Sequence, residues 1–102
     1  MNKEPKKGFY YHYKHDPKGT INNYAYEVLG MSRHTEDETY SVVYRPLYPN
    51  TYLKDADFSN RPLTMFMENV TKDGKTFPRF TPITDKKVLE QLREIRKEMY
   101  YD

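Results

Sequence analysis

Three arginines stand in otherwise apolar stretches. Arg45 follows Tyr44, Arg61 precedes Pro62 and Arg79 precedes Phe80. An unpaired guanidinium is costly to bury, so each position needs a partner. One reading pairs the arginines internally with Glu27, Glu68 or the acidic turn at residues 36–38, and lays them on tyrosine rings. The other gathers them into a cationic notch, because a guanidinium grips phosphate or carboxylate through two parallel hydrogen bonds. In that reading Arg45, Arg61 and Arg79, with the rings of Tyr13, Tyr44 and Phe66, form a groove for an anionic or nucleotide-like ligand. Internal pairing is the more common use of arginine in small domains.

Glu27 and Glu68 are the carboxylates set inside apolar patterns, and they are the weak candidates for catalysis. Buried, either could act as a base on a nucleotide or other small metabolite. The plainer role is to partner the arginines or to accept from tyrosine hydroxyls. The serines are Ser32, Ser41 and Ser59, with no G-x-S-x-G elbow around them, and no glycine-rich phosphate loop appears. His12 and His15 are three apart, a spacing that puts them on opposite faces of a strand. With His34 they do not make a metal-ligand motif. The residues imply no metal and no cofactor, and the expectation leans away from an enzyme.

Composition narrows the field further. The chain has 102 residues, which suits one domain. Mean hydropathy is -1.06, close to the disordered range, yet 16% of the residues are aromatic, including 11 Tyr. Disordered chains are poor in aromatics, and a tyrosine ring buries a large area once its hydroxyl finds a partner. The tyrosines could be such a core, or a stacking platform for single-stranded nucleic acid. There is no Cys, which removes disulfides, thiolate metal sites and cysteine nucleophiles. No apolar run approaches the roughly 20 residues of a membrane helix, and the charged start MNKEPKKG lacks a signal-peptide core. The expected location is cytoplasmic, away from membrane. Net charge is +2 and the positive excess lies in the first 19 residues, so the middle of the chain lacks the basic surface of a duplex-DNA binder.

The elements that must position these side chains are mostly strands. Residues 1–7 read as a short disordered basic arm. Residues 8–15 read as a strand with Phe9, Tyr11 and Tyr13 on one face and Tyr10, His12 and Lys14 on the other. A turn follows at Asp16-Pro17-Lys18-Gly19. Residues 24–35 alternate Tyr24, Tyr26 and Val28 with Ala25, Glu27 and Leu29, and Gly30 suggests a bulge or bend. Residues 40–48 make a third strand in which Pro46 should face an edge or bulge. Residues 49–62 read as a loop, and residues 63–70 suit either a helical turn or a strand. Asp73-Gly74 signals a hairpin, and residues 76–83 a final edge strand. Residues 84–100 form an amphipathic helix with Thr84 as N-cap and an apolar stripe of Val88, Leu89, Leu92, Ile95 and Met99. That stripe covers the rest of the domain or meets a second copy.

In order along the chain stand Tyr13-Lys14, Tyr26-Glu27-Val28-Leu29-Gly30, Arg33-His34-Thr35, Val42-Val43-Tyr44-Arg45 and Leu47-Tyr48. They are followed by Arg61-Pro62, Met65-Phe66, Glu68, Gly74 and Pro78-Arg79-Phe80. This ordered set resembles a bacterial family named for domain of unknown function 1653. The resemblance spans residues 8–83 and leaves the C-terminal helix outside. It implies a small, strongly bent SH3-like barrel and carries no activity with it. The expected fold is therefore mainly β: an SH3-like barrel of about five strands over residues 8–83, with a C-terminal helix over residues 84–102. The expected function is a non-catalytic binding module. Its ligand would be an anionic small molecule or single-stranded nucleic acid. The alternatives are an enzyme with a glutamate base and a protein–protein adaptor, including a homodimer through the helix.

Overall fold

The computed structural model describes residues 5–49 and 57–100. The first three strands form where aromatic and β-branched residues alternate: β1 (Gly8–His12), β2 (Ala25–Arg33) and β3 (Tyr40–Pro46). They are followed by β4 (Ser59–Pro62), the single turn α1 (Leu63–Phe66), β5 (Asn69–Lys72), β6 (Lys75–Pro78), β7 (Phe80–Pro82) and the helix α2 (Lys86–Tyr100). Five strands make one antiparallel sheet in the order β4-β3-β2-β1-β7, and β5 and β6 pair as a separate hairpin. The fold is mainly β with a C-terminal helix. Among the described residues the edges β4 and β7 do not pair with each other, and no hydrogen bonds close the sheet.

The element count differs from the sequence expectation for local reasons. The apparent loop at residues 49–62 ends in β4, whose register against β3 pairs Val42 with Arg61 and Tyr44 with Ser59. Its residues 50–56 lie outside the described residues, as do residues 1–4 of the expected arm and residues 101–102 beyond α2. The ambiguous stretch at residues 63–70 is both things in turn, α1 and then β5. The expected final strand divides at Arg79. The Arg79 amide donates to the Glu68 carbonyl, while its own carbonyl accepts from the Tyr13 amide at 2.8 Å. One residue thus hands the chain from the hairpin to the sheet.

Three local expectations hold. Asp73 and Gly74 both adopt positive φ, at 53° and 76°, as a tight hairpin turn requires. The β2–β3 register slips between Val28 and Gly30, where Gly30 sits at φ 155°. Pro46 pairs with Tyr26 of β2, beyond the last β4 partner of β3, where its missing N–H leaves no ladder bond unmade. One expectation fails. The helix is capped by Asp85 and not by Thr84, because Asp85 Oδ1 accepts from the amides of Lys87 and Val88 at 2.9 and 3.3 Å.

Strand alternation gives the sheet two apolar faces. One carries Tyr10, Val28, Val42, Tyr44 and Phe80, covered by Phe66 of α1. The other carries Phe9, Ala25 and Leu47, covered by Leu92 of α2, with Val88, Leu89 and Ile95 packed around them. Leu92 is fully buried, and its burial contributes about 2 kcal/mol. Val88, Leu89, Leu92 and Ile95 of the apolar stripe of α2 therefore pack on its own sheet. Among the described residues no helix is long and apolar enough to cross a membrane.

Candidate functional site

Register decides which arginine goes where. Residues paired across neighbouring strands project to the same face of a sheet. Phe9 of β1 lies opposite Glu27, and Glu27 lies opposite Arg45 of β3, so all three face α2. His12 lies opposite Phe80, Val28 opposite Tyr44, and Val42 opposite Arg61, so these share the other face.

Arg45 accordingly leaves the expected groove. Its Nε and Nη2 both donate to Glu27 Oε1 at 2.9 Å, and its guanidinium carbon lies 3.9 Å from the Tyr100 ring centroid. The second carboxylate oxygen of Glu27 accepts from Arg96 Nη1 of α2 at 3.1 Å. Glu27 and Arg45 are both about nine-tenths buried. This buried triad ties α2 to the sheet. Arg96 is the member that sequence reasoning did not find, since nothing in helical spacing marks one polar-face arginine among several.

On the opposite face a cleft of about 890 Å3 opens. Tyr24, Tyr26, Tyr44, Tyr48 and Phe80 line it, with His12, Lys14 and Arg61 as its basic groups. No carboxylate lines it among the described residues. The Arg61 guanidinium carbon lies 5.7 Å from the Phe80 ring centroid. Arg61 has no carboxylate partner among the described residues, and its Nε is buried without a hydrogen-bond partner. Arg79 Nε is buried without a hydrogen-bond partner as well, so what sets Arg61 apart among the three arginines is the missing carboxylate, which Arg45 and Arg79 both have. The Tyr26 and Tyr48 hydroxyls share a short hydrogen bond, and burial followed by that bond pushes the Tyr26 hydroxyl well above the usual phenol range.

His12 reports the electrostatics of the cleft. Burial, then the charges of Arg61, Arg79 and Lys14, lower its pKa to about 4. The ring is neutral at pH 7, with Nδ1 accepting from the Lys14 amide at 3.2 Å, so the proton resides on Nε2. His12 touches Tyr13, Tyr26 and Phe80 in a continuous aromatic cluster, at centroid distances of 4.4, 6.4 and 5.1 Å.

Of the remaining expected site residues, Tyr44 lines the cleft, and Tyr13, Phe66 and Arg79 fall beside it. Tyr44 is 8% exposed and lies at its floor. Phe66 is core rather than wall, stacked parallel on Phe80 at 4.2 Å and 2% exposed. Tyr13 lies next to His12, with the Arg79 guanidinium carbon 6.0 Å from its ring centroid. Arg79 is paired, donating from Nη2 to Glu68 Oε1 at 2.9 Å, and Glu68 is more than half exposed. Internal pairing thus accounts for Arg45 and Arg79, and the open cleft receives Arg61. His12, Tyr24, Tyr26 and Tyr48 join the site without having been singled out. The signal for Tyr24 and Tyr26 was their shared strand face, and for His12 its place on the Tyr10 side of β1.

Many of the tyrosines serve architecture with bonded hydroxyls. Tyr10 donates to the Lys6 carbonyl, Tyr11 to Ile21 and Tyr100 to Pro46. Among the described residues no three His or carboxylate groups gather as a metal site would require.

Comparison with known proteins agrees with this architecture. The family model described as "Protein of unknown function (DUF1653)" matches residues 8–82. The crystal structure of a protein belonging to DUF1653 from Bordetella bronchiseptica is similar, with a TM-score of 0.61 and 29% identity. The likeness covers 81% of this chain and 96% of that one. No curated protein matches the chain. With three quarters of its length matched, from the first strand of the sheet to the last, the chain belongs to the DUF1653 family.

Proposed function

We propose that the protein is a cytoplasmic, non-catalytic binding module whose aromatic cleft takes a planar ligand carrying an anionic group, as a nucleotide or a nucleotide of a single strand does. The observation that carries this reading is Arg61, a cation with no carboxylate partner among the described residues, set in a cleft walled by aromatic rings. A ring-bearing anion satisfies both features, by stacking and by charge-assisted hydrogen bonding. The cleft volume of about 890 Å3 suits a small ligand. The five-stranded antiparallel sheet with its register shift between Val28 and Gly30 is what we read as kin to SH3-like domains. Such a fold positions a cleft without supplying chemistry of its own.

The glutamate-base alternative draws less support. Both oxygens of Glu27 accept from arginines, and Glu68 is held by Arg79 at the surface. The adaptor alternative loses Val88, Leu89, Leu92 and Ile95 of α2, which pack on its own sheet.

Titration calorimetry with nucleoside monophosphates and short single-stranded oligonucleotides tests the proposal. Arg61→Gln should weaken the tightest of these by about 10- to 100-fold, the range for losing a charge-assisted pair. Arg45→Gln should act on stability instead. Equal binding of every such ligand by wild type and Arg61→Gln ends the proposal.

A further inference from the structure

We propose a second binding site, for a small amphipathic carboxylate with an unbranched apolar chain. It lies in a cavity of about 750 Å3 that, among the described residues, shares only Phe80 with the aromatic cleft. The cavity has two distinct parts. Its apolar part is formed by Phe9, Phe66, Ile83 and Leu89, drawn from both cores and from α2. Its basic part is formed by Lys6 and Lys7, just before β1, and by Arg93 on the exposed side of α2.

Charge complementarity selects the ligand. Lys6, Lys7 and Arg93 are exposed and have no carboxylate partner among the described residues. Among the described residues Glu27 is the one acidic residue lining the cavity, and it is already neutralised by Arg45 and Arg96. Three unmatched cations beside an apolar hollow favour a molecule with a single anionic end and an apolar body. A multiply charged, fully polar ligand would leave the apolar part unfilled, and an uncharged chain would leave the cations unmatched. The volume falls within the range of small-molecule pockets, roughly 300–1,000 Å3, and it exceeds what a medium-length alkyl chain needs. This site is independent of the nucleotide reading.

The probe is dodecanoate, below its micellar concentration, with octanoate, decanoate and dodecanol as comparators. Binding is followed by backbone-amide NMR and calorimetry on the full chain. The expected result is saturable dodecanoate binding with shifts at Phe9, Ile83 and Leu89, while His12 and Arg61 stay still. Affinity should rise about two- to fourfold per added CH2. Dodecanol should bind at least tenfold more weakly. The combined variant Lys6→Gln, Lys7→Gln, Arg93→Gln changes only exposed side chains, and should lose at least tenfold for dodecanoate at unchanged Tm. Arg61→Gln should bind dodecanoate as wild type does. No saturable binding overturns the proposal. So does equal affinity for dodecanol, an unaffected triple variant, or shifts confined to the aromatic cleft. A Leu-containing acidic peptide that occupies the cavity when dodecanoate does not would also overturn it, in favour of a protein partner.

Discussion

Replacing Glu27 by Gln keeps the shape of the side chain and removes the negative charge that Arg45 and Arg96 share. Glu27 and Arg45 are both about nine-tenths buried, and both donors of Arg45 converge on one Glu27 oxygen at 2.9 Å. Removing one partner from a buried pair leaves an uncompensated charge and costs about 3–5 kcal/mol. The Gln carbonyl can still accept one of the three hydrogen bonds, and Arg96, which is more exposed, can turn toward water. These two reliefs put the expected loss near the lower end, about 3 kcal/mol. Domains of this size have only about 5–15 kcal/mol of stability, and Tm falls by roughly 4–8 °C per kcal/mol. Glu27→Gln should therefore lower Tm by more than about 12 °C. Urea unfolding followed by far-ultraviolet circular dichroism gives the free energy directly. The double variant Glu27→Leu, Arg45→Met removes both charges and should recover a large part of the loss. A loss below about 1 kcal/mol for Glu27→Gln, or a double variant no better than the single, would refute the triad as the clamp between helix and sheet.

Three further outcomes follow from the geometry. His12 is neutral in the folded state down to about pH 4, whereas the unfolded ring takes up a proton near 6.5. The unfolded state therefore binds more protons between those values, so stability should fall as pH drops from 6.5 to 4; the full shift corresponds to about 3 kcal/mol, and solvent screening of this half-buried ring reduces it to about 1 kcal/mol. A His12→Gln variant with an unchanged pH slope would contradict this. Asp85→Ala should cost about 1 kcal/mol through loss of the α2 cap, and Thr84→Ala no more than a few tenths, both readable by urea titration. Gly30→Ala should cost about 1–2 kcal/mol through backbone strain alone, because a Cβ there meets only Lys7 Cε at 3.7 Å; a loss under about 0.3 kcal/mol would show that the bulge does not need glycine.

Much of the fold was legible because it rests on short-range patterns. Alternation placed Phe9 and Tyr11 opposite Tyr10 and His12, and the burial of both faces follows from it. Asp73-Gly74 and Gly30 announced a turn and a bulge through backbone conformations that other residues rarely adopt. Legibility ended where long-range register took over. Arg45 and Arg61 look alike in sequence, each beside an aromatic or proline in an apolar stretch. What separates them is pairing: Arg45 opposes Glu27, and Arg61 opposes Val42. That single difference sends one guanidinium into an ion pair and the other into the cleft. Arg96 was beyond reach for the same reason, being 69 residues from the carboxylate it serves. The edge strand β4 escaped notice because Ser59, Asn60, Arg61 and Pro62 have little strand propensity, and the ladder to β3 imposes the extended form.

The clamp between Glu27 and Arg96 also has a consequence in time. A chain leaves the ribosome at about 5–20 residues per second, N-terminal end first. The sheet face bearing Phe9, Ala25 and Leu47 is synthesised long before Leu92 and Arg96, which cover and neutralise it. For some seconds a nascent sheet would present bare rings and an ion pair still missing one arginine. The opposite face, whose lid is Phe66, is completed earlier. The chain thus finishes its cleft before it finishes its foundation, and this interval is when a chaperone or a misplaced neighbour would find it.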